Sequence, residues 1–133
     1  MYYLDSNTCI YFLNGRYESV REHIYSIPPY NIRIPVIVKA ELLAGAYRSA
    51  ARERTLKKLL AFLSEFQIEP FTDETTEAYA QIRSDLEKKG TPIGPNDMLI
   101  AAIALSNQGI LVTHNTKEFK RVKGLQLADW ATT

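Results

Sequence analysis

Short apolar segments alternate with longer amphipathic segments along this chain, and this alternation constrains its fold more than any other feature. The longer segments carry apolar residues at helical spacing, which predicts helices between the short strands. Strands that are regularly separated by helices are typical of an α/β fold, with a central parallel sheet of about five strands sandwiched by helices. The predicted strands are Met1–Leu4, Asn31–Ile34, Gln67–Phe71, Ile110–Thr113 and Gln126–Leu127.

Glycine and proline mark the ends of most predicted helices. One segment, MLIAAIAL, is apolar on every side and therefore predicts a buried helix. The predicted helices are Thr8–Leu13, Arg16–Ile27, Val36–Gly45, Ala50–Phe66, Thr75–Lys89 and Pro95–Gln108.

Length and composition narrow the functional classes. The 133 residues suit a single domain over 1–133, and the net charge of +1 gives no global basic excess for nucleic acid. Cys9 is the only cysteine, which excludes an intrachain disulfide and a cysteine-based zinc site. No apolar run reaches the roughly 18 residues of a membrane span, and MYYLDSNT lacks the features of a signal peptide, so we expect a cytoplasmic protein without membrane contact.

Three acidic residues differ from those on the polar helix faces. Asp5 directly follows an apolar strand, Glu41 lies in the apolar segment VIVKAELLAG, and Asp97 begins the most buried helix. Each has an alternative structural role. Asp5 is a candidate helix N-cap, Glu41 a partner for Lys39 or a remote arginine, and Asp97 a first-turn acid behind an Asn96 cap.

The carboxyl ends of parallel strands meet at one rim of the sheet, where ligands bind at the topological switch point. Asp5 and Thr113 both follow predicted strands and therefore point to that rim. Three carboxylates brought together would repel one another unless a cation neutralised them. Mg²⁺ or Mn²⁺ binds such oxygen ligands, and a site of this kind suits phosphodiester cleavage.

The stretches MYYLDSNTCIYFLNG, IPVIVKAELLAGA, GTPIGPNDMLIAAIAL and LVTHNTKEFKRVKGL resemble the four motif regions of PIN-domain proteins, above all the VapC-type toxins of toxin–antitoxin pairs. The resemblance implies a PIN-like fold whose acidic pocket is lined by Asp5, Glu41 and Asp97, which hold Mg²⁺ or Mn²⁺. It also implies an endoribonuclease that cuts structured RNA, such as transfer RNA or a ribosomal RNA loop. A cognate antitoxin and a homodimer within a larger assembly belong to the same expectation.

The chain departs from the family pattern after the fourth strand. Asn115 stands where many PIN proteins carry a fourth acid, and Glu118 is the nearby residue that could replace this carboxylate. Because Asn115 carries no charge, a catalytically weak PIN module that only binds RNA or protein remains an alternative. A second alternative, an aspartyl phosphatase suggested by LDSNT, lacks its second acid because Asn7 occupies that position.

Further residues have supporting roles in this prediction. Ser6 and Thr113 are candidates for orienting a carboxylate or a water molecule. The segment TKEFKRVKG lies close to the predicted pocket and supplies candidate RNA-backbone contacts, namely Lys117, Lys120 and Arg121. Candidate groove residues for an antitoxin or a dimer contact are Tyr11, Phe12, Leu42, Leu43 and Tyr47.

Overall fold

The computed structural model describes residues 1–132 and confirms the α/β prediction. Within these residues, a five-stranded sheet has the order β3-β2-β1-β4-β5, and every neighbouring pair is parallel. The strands are β1 (Tyr2–Leu4), β2 (Ile32–Pro35), β3 (Gln67–Glu69), β4 (Ile110–Val112) and β5 (Gln126–Ala128).

Helices flank the sheet and supply most of the residues that cover it. The most apolar of them, α6, has a buried middle, as MLIAAIAL predicted. The helices are α1 (Ser6–Asn14), α2 (Glu18–Ser26), α3 (Val36–Arg48), α4 (Arg52–Leu63), α5 (Asp73–Lys89), α6 (Pro95–Ser106) and α7 (Thr116–Phe119).

None of the helices in residues 1–132 has both the length and the apolar character needed to cross a membrane.

Several predicted boundaries were wrong. α3 continues beyond Gly45 to Arg48, because Gly45 has helical geometry and an interior glycine costs only about 1 kcal/mol. α4 is shorter than the predicted 50–66, and α6 ends at Ser106, because Gln108 has a left-handed φ of 56°. Asn31 belongs to a 3-10 turn before β2, β3 ends at Glu69, and the short helix α7 was missed.

Local sequence explains why the elements nearest the rim begin and end where they do. Asp5 has extended backbone and caps α1 by accepting a hydrogen bond from the Thr8 amide at 2.9 Å. Gly15 then ends α1 in the left-handed region, with a φ of 69° that glycine adopts at little cost. Farther along, a Cβ at Gly109 would overlap the Tyr3 ring, so this glycine lets α6 and β4 join closely beside β1.

The strand order places the topological switch point between β1 and β4. The chain proceeds from β1 outward through β2 and β3, and β4 then returns to the other side of β1. Ligands bind beyond the carboxyl ends of the strands at such a point. The residues that follow β1 and β4, starting at Asp5 and Thr113, therefore meet at the predicted rim.

Candidate metal centre

Asp5 is fixed at the switch point by both neighbouring elements. Its amide donates to the carbonyl of Val112 at 3.1 Å, and the Thr8 hydroxyl donates to the same carbonyl at 3.2 Å. Only 6% of Asp5 is exposed. The N-cap alternative is therefore correct, and the same carboxylate also lies at the rim where the site was predicted.

Burial is the main influence on the ionisation of Asp5. Removal from water raises the pKa of this carboxyl group, and the nearby Glu41 raises it further. Hydrogen bonding to Thr113 and Thr8 opposes the rise. Thr113 is fully buried, and its orienting role stays a prediction.

Asp97 lies in the first turn of α6 and is half-buried. Its pKa is raised to about 6, first by burial and then by the negative charges of Glu118, Glu41 and Asp5, in that order. These three acids come from separate elements of the chain. The fold therefore brings the predicted carboxylates close enough for the charges of Glu118, Glu41 and Asp5 to raise the pKa of Asp97.

Glu41 projects from α3 and is held by two uncharged donors. The Ser6 hydroxyl donates to Oε1 at 2.5 Å, and the Asn96 amide donates to Oε2 at 3.3 Å. The expected ion pair with Lys39 or a remote arginine is absent among the described residues. Ser6 therefore donates a hydrogen bond to a carboxylate of the predicted site, and its part in activity stays a prediction.

Asn96 was misassigned from the sequence. Gly94 caps α6 and Pro95 occupies its first turn, so Asn96 lies inside the helix and its amide is free to reach Glu41. Proline at the first helical position was the available signal, because it is favoured there and places the cap one residue earlier.

Glu118 reaches the same neighbourhood from α7. Its carboxylate accepts from the Asn115 side-chain amide at 2.6 Å and from the Gly94 amide at 3.4 Å. Glu118 is also the acid with the largest effect on the pKa of Asp97. Glu118 is thus a fourth acid beside Asp5, Glu41 and Asp97, and the Asn115 side-chain amide donates a hydrogen bond to it.

The donor chemistry of this centre fits a hard cation. The carboxylates of Glu118, Glu41 and Asp5 influence Asp97, and no described ion pair in residues 1–132 involves any of these four acids. The arrangement is open: no three His, Cys, Asp or Glu side chains of the described chain lie close enough together to hold an ion. Mg²⁺ usually retains several waters and needs only one or two direct carboxylates, so an open arrangement is compatible with it.

The predicted basic residues lie on and after α7. Lys117 and Lys120 are exposed, and the described residues provide neither with an ion-pair partner. The Arg121 guanidinium instead donates to the carbonyl of Pro92 at 3.0 Å, which ties α7 to the loop before α6. Two exposed lysines without a described ion-pair partner and one hydrogen-bonded arginine therefore lie near Glu118 in the sequence.

Comparison with known proteins identifies a family and several relatives of this chain. Residues 2–125 match the family model for the PIN domain. Ribonuclease VapC2 of Rickettsia felis is 40% identical over 131 residues, which are 98% of each chain. The tRNA(fMet)-specific endonuclease VapC of Salmonella typhimurium is 36% identical over 127 residues, or 96% of each chain.

Solved structures agree with these sequence relatives. The crystal structure of VapBC2 from Rickettsia felis, bound to a DNA fragment from its promoter, superimposes with a TM-score of 0.92 at 39% identity. That match covers 97% of this chain and 98% of the other. VapBC-1 from nontypeable Haemophilus influenzae gives a TM-score of 0.88 at 34% identity, with 98% of both chains covered.

Proposed function

Because the chain belongs to the PIN-domain family and, within it, to the VapC ribonucleases, we propose that it is a Mg²⁺- or Mn²⁺-dependent endoribonuclease toxin. It acts as a single domain over residues 1–133 in the cytoplasm, where it cleaves structured RNA. The observation that carries the proposal is the group of acids from separate segments around Asp97, none of which has a described ion-pair partner. Burial first, and then these acids, raise the pKa of Asp97. A carboxylate cluster of this kind costs folding energy and is explained by binding a cation.

Asp5 and Asp97 would bind the ion directly, and Glu41 would reach it through one of the waters that Mg²⁺ retains. Ser6 and Asn96 fix the orientation of Glu41, and Asn115 fixes Glu118 beside Asp97. When bound, Mg²⁺ or Mn²⁺ supplies a Lewis acid that orients an attacking water and neutralises charge on the phosphate. Lys117 and Lys120 are close enough in sequence to the site to contact the RNA backbone on either side of the cut.

Transfer RNA is the substrate we favour over a ribosomal RNA loop, because the VapC relative from Salmonella typhimurium is a tRNA(fMet)-specific endonuclease and is 36% identical to this chain. Water attack on phosphorus leaves a 5′-phosphate and a 3′-hydroxyl, since the 2′-hydroxyl of the RNA is not the nucleophile.

The experiment is cleavage of a tRNA(fMet) transcript by the purified protein, with end-mapping of the products. We expect cleavage with Mg²⁺, none in excess EDTA, and at least about a 100-fold loss in Asp5→Asn, since even outer-shell changes cost 10–100-fold. Asparagine retains the α1 cap, so this variant should keep its fold. Cleavage in EDTA or a 2′,3′-cyclic phosphate would contradict the mechanism. Mg²⁺ binding without cleavage of any cellular RNA would identify the binding-module alternative.

An antitoxin completes the proposal, together with a homodimer inside a larger toxin–antitoxin assembly. The related solved structures are VapBC assemblies. A groove of about 650 Å³ begins at Ser6 and Glu41 and runs between α1, α3 and α4. Its floor is apolar and its rim basic, which suits an amphipathic acidic segment of an antitoxin. The floor includes Ile10, Leu13, Leu42 and Leu59, and the rim Arg48, Arg54 and Lys58.

The groove has a matched pair of test positions. Ile10 lines it with 42% of its surface exposed, whereas Leu60 of α4 is 51% exposed and does not line it. We expect Ile10→Glu to prevent inhibition and copurification with the cognate antitoxin while RNA cleavage continues. Leu60→Glu should remain inhibited. Equal inhibition of both variants would place the antitoxin elsewhere.

A further inference from the structure

We call the acids Asp5, Glu41, Asp97 and Glu118 the carboxylate centre. A cluster of aromatic and cationic side chains adjoins this centre on the β4 side. We call it the tyrosine platform, and it consists of Tyr11 from α1, Arg16 and Tyr17 from the α1–α2 connection, and His114 after β4. The two tyrosine rings meet edge to face with centroids 4.8 Å apart. The His114 ring lies 6.2 Å from Tyr11 and 5.7 Å from Tyr17. Residues distant in sequence thus form one continuous aromatic surface.

The guanidinium of Arg16 lies over this surface and has no described ion-pair partner. Its guanidinium carbon lies 5.7 Å from the Tyr11 centroid and 5.5 Å from the Tyr17 centroid. Arg16 is exposed, and within residues 1–132 its side chain forms no described hydrogen bond or ion pair; only its backbone amide is bonded, to Tyr11 and Asn14. A guanidinium that lies near aromatic rings and forms no described side-chain hydrogen bond keeps its N–H groups available for a ligand.

His114 connects the platform to the carboxylate centre. It directly follows Thr113, which lowers the pKa of the Asp5 carboxyl group, and its Nδ1 lies 2.9 Å from the carboxylate of Asp129. Asp129 also accepts from the Ala131 amide at 2.9 Å, so the imidazole is held against the tyrosines by a fixed partner. This geometry argues against His114 as a general base at the carboxylates and assigns it to the platform.

We propose that the tyrosine platform binds the RNA nucleotide adjoining the cut, with Arg16 on its phosphate and the exposed face of His114 stacked on its base. This inference rests on the proposed ribonuclease function and adds a specificity determinant to it. Aromatic faces joined to an available arginine are the usual means of binding an unstacked nucleotide, since every base has a π-face.

We expect the platform to bind one nucleotide and not a longer stretch of RNA. Beyond Arg16, the surface depression that includes Tyr17 is also lined by Glu18 and Glu22, both exposed. These carboxylates repel a phosphate backbone on that side. An RNA strand that leaves the carboxylate centre therefore contacts the platform once and does not continue along α2.

If Arg16 only covered the tyrosines at the end of α1, its removal would lower stability without changing the salt dependence of RNA binding. The test is designed to distinguish this structural role from an RNA contact. RNA binding is measured in the cleavage-defective Asp5→Asn background, so that the platform is tested whether or not the wild type cleaves. Arg16→Ala and Arg16→Lys are compared with Arg83→Ala. Arg83 also contacts a tyrosine, Tyr79, but lies on α5 and is paired with Glu87.

We expect Arg16→Ala to weaken binding of the tRNA(fMet) transcript by about tenfold and to lower the slope of log Kd against log salt by about 0.7, the value for one contact with single-stranded phosphate. Arg16→Lys should keep the salt slope and lose part of the affinity, because it retains the charge without the planar stacking. Arg83→Ala should match the parent in both. A structural role would lower the melting temperature without changing the salt slope.

Three results overturn the inference. One is an unchanged affinity and salt slope in Arg16→Ala, and another is an equal loss in Arg83→Ala. The third is a defect confined to antitoxin binding or dimerisation, which would make the platform a protein contact. Failure of the wild type to cleave any RNA, with the Arg16 effect on binding intact, would overturn the ribonuclease proposal and support the platform as an RNA contact.

Discussion

Two carboxylates lie at strand ends of the same sheet and have opposite surroundings. Glu69, the last residue of β3, accepts from the Arg33 guanidinium at 3.0 Å and from the Tyr3 hydroxyl at 3.3 Å, and its negative charge is matched. Asp5, just beyond β1, is more deeply buried and has only uncharged partners. Glu69 is therefore balanced within the fold, whereas the acids around Asp5 are not, which is what we expect if they bind an external cation as proposed.

The surroundings of Tyr3 support this interpretation of the β3 end. Its pKa is raised to about 12 by burial and by Glu69, so the hydroxyl stays protonated and continues to donate at any physiological pH. Arg33 is largely enclosed, and its Nε already lacks a partner among the described residues. Glu69 therefore supplies both the hydrogen-bond acceptor for Arg33 Nη1 and the negative charge that balances the guanidinium.

The largest effect on stability is expected for Glu69→Ala. Removing the carboxylate leaves an enclosed guanidinium unpaired, which should lower the free energy of unfolding by about 2 kcal/mol. Glu69→Gln keeps an acceptor oxygen and should lose about half as much. Chemical denaturation measures both values, and RNA cleavage per folded molecule should match the wild type. A loss of cleavage without a loss of stability would erase the distinction between the two strand ends.

A smaller effect, on activity alone, is expected for Ser6→Ala. The Ser6 hydroxyl donates the shorter of the two hydrogen bonds to Glu41. In Ser6→Ala, only the longer hydrogen bond from Asn96 would remain. Loss of an outer partner of a metal-ligating carboxylate should lower cleavage by about tenfold, recoverable at higher Mg²⁺ concentration. The control is Ser26→Ala, which removes a hydroxyl bonded only to the His23 carbonyl. If Ser6→Ala cleaves normally at limiting Mg²⁺, Glu41 needs no orientation by Ser6.

Sequence patterns predicted the elements at the rim better than the contacts between them. The alternation of strands and helices placed Asp5 and Thr113 beyond neighbouring parallel strands, because chain order and apolar periodicity determine which strand ends face the same edge. The short helix α7 was missed because four residues carry no measurable periodicity, and this helix is what brings Glu118 to Asp97.

Side-chain pairs across elements were outside the reach of these patterns. Ser6 and Glu41 are 35 positions apart, and Arg33 and Glu69 are 36 apart. Their pairing depends on how helices and strands are rotated in the packed protein, which residue spacing within one element does not specify. The tyrosine platform was missed for the same reason, since Tyr11 and His114 meet only because α1 lies beside the end of β4.

The smallest effect on stability is expected for Asp97→Asn. Most mutations lower stability, whereas this one should raise the stability of the metal-free protein. The pKa of Asp97 is about 6 in the fold against 3.8 ordinarily, so between these values the folded protein binds a proton that the unfolded chain has released. Stability therefore falls as the pH rises through this window and stays lower above it. The neutral amide avoids that cost and should stabilise the metal-free protein at pH 7 by ~1 kcal/mol, after allowance for solvent screening of a half-buried group.

Thermal unfolding in EDTA across this pH range measures the difference, which should vanish below the ordinary pKa of an aspartate. Asp85→Asn is the control, because Asp85 is partly exposed and paired with Lys89 at 3.1 Å, and it should give no stabilisation at pH 7. Mg²⁺ should then raise the melting temperature of the wild type and leave Asp97→Asn little changed, since a bound cation stabilises only the charged form of the site. A variant that is less stable than the wild type in EDTA at pH 7 would mean that the Asp97 charge is already balanced within the fold, as the Glu69 charge is.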